Sequence, residues 1–112
     1  MARNLNLTQL VTIAASATTS TTATMDGGRI PLAILTPATL EGTEFKFQAS
    51  RDGDNFFALY NGSTEYAVTV AASRYIALNP DVFEAVRFVK IVSNAPGGED
   101  ALRTIYVISG ER

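Results

Sequence analysis

The feature that most constrains the fold is a series of short segments in which apolar and polar residues alternate, separated by turn sequences. In the clearest segment, EFKFQAS at 44–50, Phe45, Phe47 and Ala49 alternate with charged or polar residues. Successive side chains of a strand point to opposite faces, so this pattern is typical of a half-buried antiparallel strand. The sequence DGDN at 52–55 then predicts a chain reversal.

The alternation recurs along the chain. Residues 56–60 are predicted to form a return strand, and Asn61-Gly62 signals a hairpin before a third strand at 66–70, so that three consecutive strands form a meander. Further strands are predicted at 10–13, 30–36, 73–78, 87–92 and 102–109. About eight short strands at this spacing predict an all-β fold, a single antiparallel β-sandwich or jelly roll.

The Ser/Thr-rich tract at 16–24 admits two interpretations. It has the composition of a flexible linker, but threonine is β-branched and favours extended backbone, and we favour a polar strand at a sheet edge. Pro31, which has no backbone N–H to donate, is expected at an edge or at the start of a strand. The glycine-rich acidic segment at 97–100 is expected to belong to a mobile loop at a rim.

Composition limits both the number of domains and the chemistry. A chain of 112 residues and 12.0 kDa is predicted to form one sandwich domain at 9–112, preceded by a short N-terminal arm at 1–8. The sequence contains no His and no Cys, which removes the usual general base near neutral pH and the usual thiol nucleophile or soft metal ligand. A net charge of -2 and a pI near 5.0 argue against nucleic acid or anionic lipid as a partner.

The N-terminal residues have no continuous apolar run of the kind a signal peptide requires. We expect the chain to be made soluble in a host cytoplasm. Two leucines among polar residues indicate a segment that becomes ordered on contact with a partner, and a frayed terminus is the alternative. The predicted partner-binding residues are Ala2, Arg3, Asn4, Leu5, Asn6, Leu7 and Thr8.

Several candidate chemical sites are interpreted as ordinary surface. Asp52, Asp54 and Asn55 offer oxygens to Ca²⁺, but the full calcium-loop spacing and its distal Glu are missing, so a hairpin turn is favoured. Glu41 with Glu44, and Asp81 with Glu84, are the best acid–base pairs, in polar contexts that suggest no splitting of pKa values. We therefore predict no enzymatic activity, no catalytic residue, no metal site and no cofactor.

A binding surface is the other possibility that the residues suggest. It would combine three arginines with three tyrosines that could serve as platforms for a sugar, although outward Arg and rim Tyr are also common on sandwiches. The residues concerned are Arg51, Arg74, Arg87, Tyr60, Tyr66 and Tyr75.

Two stretches of the chain resemble the second half of discoidin-like β-sandwich domains. The runs FKFQASRDGDNFFALYNG and RYIALNPDVFEAVRFVKIVS, followed by IYVISG, show a strand ending in Ser-x-Asp-Gly, an aromatic return strand and a late Arg-aromatic-Val-Lys-Ile strand. The matching positions are Ser50, Asp52, Gly53, Phe56, Ala85, Arg87, Phe88, Val89, Lys90 and Ile91. The resemblance covers about sixty residues and implies a carbohydrate- or surface-binding module.

In its overall organisation, the chain also resembles small accessory proteins of tailed-bacteriophage virions. These have a short polar arm, a Thr/Ala-rich first strand pair and a single sandwich that docks on a shell. The resemblance implies a capsid decoration or cement protein on the virion exterior, often a trimer, with a major capsid protein or another shell protein as partner. A tail or baseplate accessory domain is a further alternative.

Overall fold

The structure, a computed structural model, describes residues 7–25 and 28–110. These residues form eleven β-strands and one short 3₁₀ helix. The strands are β1 Leu7–Ile13, β2 Ala23–Thr24, β3 Ile30–Leu35, β4 Glu44–Ser50, β5 Phe57–Ala58, β6 Tyr60–Asn61, β7 Thr64–Glu65, β8 Ala67–Thr69, β9 Tyr75–Ala77, β10 Phe88–Ser93 and β11 Arg103–Gly110, and the helix spans Pro80–Phe83. The predicted all-β sandwich is confirmed.

The first sheet has the strand order β1-β11-β3-β9, and all of its neighbours are antiparallel. Its inward side chains include Val11, Ile34, Ile105 and Val107, all of them buried. A register shift after Ile108 occurs where β11 meets the beginning of β3. Pro31 lies at that irregular point, as expected for a residue that has no N–H for a ladder.

The second sheet has the order β2-β10-β4-β5, and β4 also pairs with β8. Along one edge of β4, its last part pairs with β5 and its first part with β8. The β6–β7 hairpin lies between these two partners in the chain and forms a small sheet of its own. The predicted return strand beside β4 and the Asn61-Gly62 hairpin are both present, but the meander does not continue, because β8 pairs with β4.

The core between the sheets contains three aromatic rings in mutual contact. Phe47 and Phe83 pack edge to face with ring centroids 5.3 Å apart, and Tyr66 lies 5.6 Å from each. The Tyr66 hydroxyl accepts a hydrogen bond from the Asn79 backbone N–H at 3.0 Å. This bond and the buried Phe83 ring hold the 3₁₀ helix against the sandwich.

The Ser/Thr tract is mostly not a strand. Only Ala23–Thr24 pairs regularly, at the edge of the second sheet, while Thr19 makes one isolated bridge to Val92. Ser16 has a φ of 66°, a left-handed conformation that interrupts extended structure. The β-branched preference of threonine was outweighed here by the need to turn the chain from one sheet to the other.

The acidic loop before β11 is fixed by a buried carboxylate, so its assignment to a rim is wrong for Glu99. The Glu99 side chain is fully buried and accepts hydrogen bonds from the N–H groups of Glu41 and Gly42, from the Ser93 hydroxyl and from Arg103 Nε, at 2.9–3.2 Å. A buried carboxylate is tolerated when its oxygens are satisfied in this way. Glu99 therefore joins this loop to the start of β4 and to β10 and β11.

Candidate functional site

The outer edge of β1 is partly covered and partly open. Thr12 directs its backbone groups away from β11: its N–H donates to Thr21 Oγ1 at 3.0 Å, and its C=O accepts from the Thr21 N–H at 2.9 Å. The Gln9 side-chain amide bonds to both the N–H and the C=O of Thr24. These contacts lie along the strand from Gln9 to Thr12.

The edge is open at the N-terminal end of β1, before Gln9. Alternate residues of a strand direct their backbone groups to the same side, so Thr8 and Leu10 point theirs away from β11, as Thr12 does. Within 7–25 and 28–110, no residue supplies a hydrogen-bond partner for these backbone groups. An unpaired edge of this kind is a template for a strand from another chain.

The first sheet has an outer face without charge. Its outward side chains alternate with the core residues of β1, β3, β9 and β11, as the register shows. We call this surface the uncharged face; its outward positions, of which Ala33 is itself buried by its neighbours, are Thr8, Leu10, Thr12, Ala33, Leu35, Tyr75, Ala77, Thr104, Tyr106 and Ile108. Half of these ten residues are Thr or Tyr, so the face carries polar groups but no charge, and its large apolar and aromatic side chains make it a candidate contact surface.

Four large side chains cross the uncharged face in one row. The register pairs Leu10 with Tyr106, Tyr106 with Leu35, and Leu35 with Tyr75. Leu10 is 55% exposed, Tyr106 43% and Tyr75 68%. Because neighbouring strands lie about 4.8 Å apart, the row spans roughly 14 Å. It forms a continuous apolar ridge whose tyrosine hydroxyls can still form hydrogen bonds.

The outer face of the second sheet is different. Its outward positions on β4 and β10 include Glu44, Lys46 and Lys90. Lys46 forms an ion pair with Glu65 at 3.4 Å, and the Lys90 ammonium lies 4.3 Å from the centroid of the Phe56 ring. This face has the mixed charge expected of a surface in water. The outer faces of the two sheets therefore differ in whether they carry charged residues.

A groove of about 440 Å³ lies beside the edge strand β5 of the second sheet. Its apolar lining includes Ala49, Phe57, Leu59, Val82 and Val86. The polar residues around it are Ser50, Arg51, Asp52 and Asn55. An apolar groove of this volume with a few polar groups is the usual form of a small-ligand site.

Asp52 is used to build the turn beside this groove. Its carboxylate accepts from the N–H groups of Asp54 and Asn55, from the Asn55 side-chain amide and from the Ser50 hydroxyl, at 2.8–2.9 Å. The hydrogen bonds from the Asn55 and Asp54 backbone hold the pKa of Asp52 well below its usual range. Among the residues that the structure describes, no cluster of three Asp or Glu side chains could hold a metal ion.

The four carboxylates considered as acid–base pairs lie in different local environments. Glu41 accepts two hydrogen bonds from Arg103 Nη2, at 2.7 and 2.9 Å, which lower its pKa and raise that of Arg103. Glu44 lies at the start of β4 and is half-buried. Asp81 lies in the first turn of the 3₁₀ helix, and Glu84 forms its C-cap.

The three arginines and three tyrosines do not form one surface. Arg51 borders the groove, Arg87 stacks on Phe88 in the second sheet, and Arg74 precedes β9 in the first sheet. Tyr66 is partly buried, and its ring packs against the core at Phe47 and Phe83. Tyr60 lies on the β6–β7 hairpin and Tyr75 on the uncharged face, in different sheets.

The predicted arm meets the structure at β1. Leu7 and Thr8, its last two residues, are the first residues of that strand and are exposed. The prediction for Ala2, Arg3, Asn4, Leu5 and Asn6 lies outside the described residues. The arm therefore leads directly into the open part of the β1 edge.

Comparison with known proteins does not assign a family. A scan of the sequence against protein-family models finds no match, and a search of curated proteins finds no relative. Within the described ranges, no helix is long and apolar enough to cross a membrane.

Sequence reasoning missed the uncharged face although its signal is present. Thr8, Leu10 and Thr12 alternate with core residues, and so do Thr104, Tyr106 and Ile108. Each trio lacks charge, but only the pairing of β1 with β11 shows that they share one surface. The open edge has no such signal, because sequence does not reveal which side of a strand is paired.

Proposed function

We propose that this protein is a non-enzymatic structural protein of a phage virion that decorates or cements the capsid exterior. The observation that supports this best is the set of backbone groups of Thr8 and Leu10 on β1 that are unpaired within the described residues, at and just after the end of the predicted arm. A shell protein adding a strand there would form main-chain hydrogen bonds without any dedicated chemistry. The exposed Leu7 and Leu10 side chains would add apolar contact.

Strand length favours this edge over the other edge of the same sheet. β1 has seven residues, whereas β9 has three. Short edge strands are one way in which proteins avoid unwanted pairing. The partner in this proposal is the major capsid protein or another shell protein, and the site of action is the virion surface.

A proline substitution tests the proposal by removing one backbone hydrogen-bond donor from the edge of β1. Thr8→Pro removes an N–H that points away from β11, so the ladder with β11 remains intact and the fold is expected to persist. Binding to shells of the encoding phage, measured by co-sedimentation, should weaken at least about tenfold, since the added strand loses a main-chain bond and meets the proline ring. Deletion of residues 2–6 should also weaken binding.

The matched control is Ala77→Pro on β9. Flanking β9, the Leu78 N–H donates to the Leu32 C=O and the Arg74 C=O accepts from the Thr36 N–H, so Arg74 and Leu78 direct these groups towards β3. Tyr75 and Ala77 occupy the alternate positions and therefore direct their backbone groups away from β3. Ala77→Pro therefore changes the opposite edge of the same sheet and should leave shell binding unchanged. Equal binding by wild type and Thr8→Pro would contradict the proposed contact.

A second candidate function is a discoidin-like carbohydrate- or surface-binding module, and the groove beside Phe57 favours it. An exposed aromatic ring next to Arg51 and Asn55 offers both a stacking surface and hydrogen-bond donors for a sugar. Saturable glycan binding that is lost in Phe57→Ala, together with no binding to shells, would select this function over the capsid role.

A further inference from the structure

The uncharged face extends across the whole first sheet, and its size can be compared with known interfaces. The four strands have seven, eight, six and three residues, so at about 4.8 Å between strands and about 3.4 Å per residue the projected area is roughly 390 Å². Two such faces in contact would cover about 800 Å² in total, below the roughly 1,000 Å² expected of a stable specific interface, so the contact would be weak. A contact of this size is expected to be reversible.

We propose that the uncharged face is the contact surface between two copies of this chain, packed face to face about a two-fold axis. The argument is one of charge complementarity. A partner that covers this face must itself be uncharged there, because a charge buried against Leu10, Tyr106 or Leu35 would have no counter-charge. A second copy brings a surface that meets this condition at every position.

The same reasoning favours a two-fold dimer over the trimer that the resemblance to virion proteins implied. A ring requires the uncharged face to meet a different surface of the next copy. The outer face of the second sheet would bring Glu44, Lys46 and Lys90 into that contact. An isologous contact avoids this, because both surfaces are the same uncharged face.

Packing in the dimer follows the geometry of stacked sheets. Sheets pack about 10 Å apart with their strands rotated by about 30°, so the two rows of Leu10, Tyr106, Leu35 and Tyr75 would interdigitate across the axis. The threonine and tyrosine hydroxyls can bond to each other or to water at the rim. Tyr106 lies near the middle of the row, so it should contribute most.

The inference concerns the purified chain alone and does not depend on a role in a virion. The test is sedimentation equilibrium of the full chain from about 5 µM to about 500 µM, where an interface of this size should dissociate. We expect a monomer–dimer equilibrium for wild type. Tyr106→Lys places a charge in the contact and should weaken the dimer at least about tenfold.

Two further variants separate the face from other causes. Tyr60→Lys makes the same change at a tyrosine of similar exposure on the β6–β7 hairpin and should leave the dimer unchanged. Tyr75→Lys, at the end of the row, should weaken it as Tyr106→Lys does. Circular dichroism and thermal melting should show that all three variants remain folded, since each side chain is already exposed.

Specific outcomes would overturn the inference. One is a single-copy mass for wild type across the whole range, and another is a dimer that Tyr106→Lys and Tyr75→Lys do not weaken. A dimer lost in Thr8→Pro but kept in Tyr106→Lys would assign self-association to the open edge and contradict the face-to-face contact. Loss of shell binding with an intact dimer would contradict only the proposed virion role.

Discussion

At the scale of single residues, the loop before β11 depends on the position of Gly98. Its φ is +89°, and an added Cβ would lie 2.6 Å from the Ser16 carbonyl oxygen and 2.8 Å from the Ala17 nitrogen. Backbone atoms cannot move aside as a flexible side chain can. The Ser16 N–H donates to the Glu99 carbonyl at 2.7 Å, so the same contact connects the two loops.

Gly98→Ala should therefore destabilise the protein by more than about 1 kcal/mol. Gly97→Ala is the matched control, because its φ is +71° but no atom lies within 4 Å of an added Cβ. Urea denaturation of both variants separates the cost of the positive φ from that of the collision. Equal losses of unfolding free energy would show that the close approach to Ser16 is unimportant.

Glu41 gives the protein a defined response to acid. Hydrogen bonds from Arg103 lower its pKa in the folded state below the ordinary value of 4.5. The Glu41 carboxylate therefore binds a proton more tightly in the unfolded chain than in the folded protein. The stability that Glu41 contributes is fully present above its pKa in the unfolded chain, and it is lost as the pH falls through its pKa in the folded protein. The difference in melting temperature between wild type and Glu41→Gln should shrink from about pH 5 to about pH 3. A difference that does not change with pH would refute this linkage.

At the scale of elements, the 3₁₀ helix is held by one aromatic side chain. Phe83 is fully buried against Phe47 and Tyr66. Phe83→Ala should reduce the unfolding free energy by about 3–5 kcal/mol, because the cavity that it leaves lies between two rigid rings. Phe57, on β5, is 71% exposed, and Phe57→Ala should change stability by less than about 0.5 kcal/mol. Similar effects from both substitutions, measured by urea denaturation, would contradict this account of the core.

The elements also show how far the sequence alone could predict the structure. The bounds of β4, β10 and β11 were predicted to within one or two residues, because strong alternation and nearby turns determine them. The pairing of β8 with β4 could not be predicted, since local patterns do not say which strands become neighbours. Glu99 was interpreted as a rim residue because an acidic, glycine-rich segment resembles an exposed loop, and its four donors come together only in the fold.

At the scale of the whole molecule, the structure has two unlike sides. The second sheet presents Lys46, Lys90 and Glu44 to solvent, whereas the first presents the uncharged face and, at its border, the open part of β1. A partner on the uncharged face would approach perpendicular to the sheet, whereas a strand added to β1 would approach in the plane of the sheet. A second copy on the face and a shell strand at the edge are therefore geometrically compatible, and an added strand would widen the sheet.

Amide hydrogen exchange of the peptide containing Thr8 and Leu10, with and without shells of the encoding phage, tests the proposed contact most directly. The backbone amides of these two residues have no described partner in the isolated chain and should exchange rapidly, then become protected when a shell strand pairs with β1. The amides of Tyr75 and Ala77 on the opposite edge should exchange equally in both samples. Shell binding that leaves Thr8 and Leu10 unprotected, or no binding at all, would contradict the account.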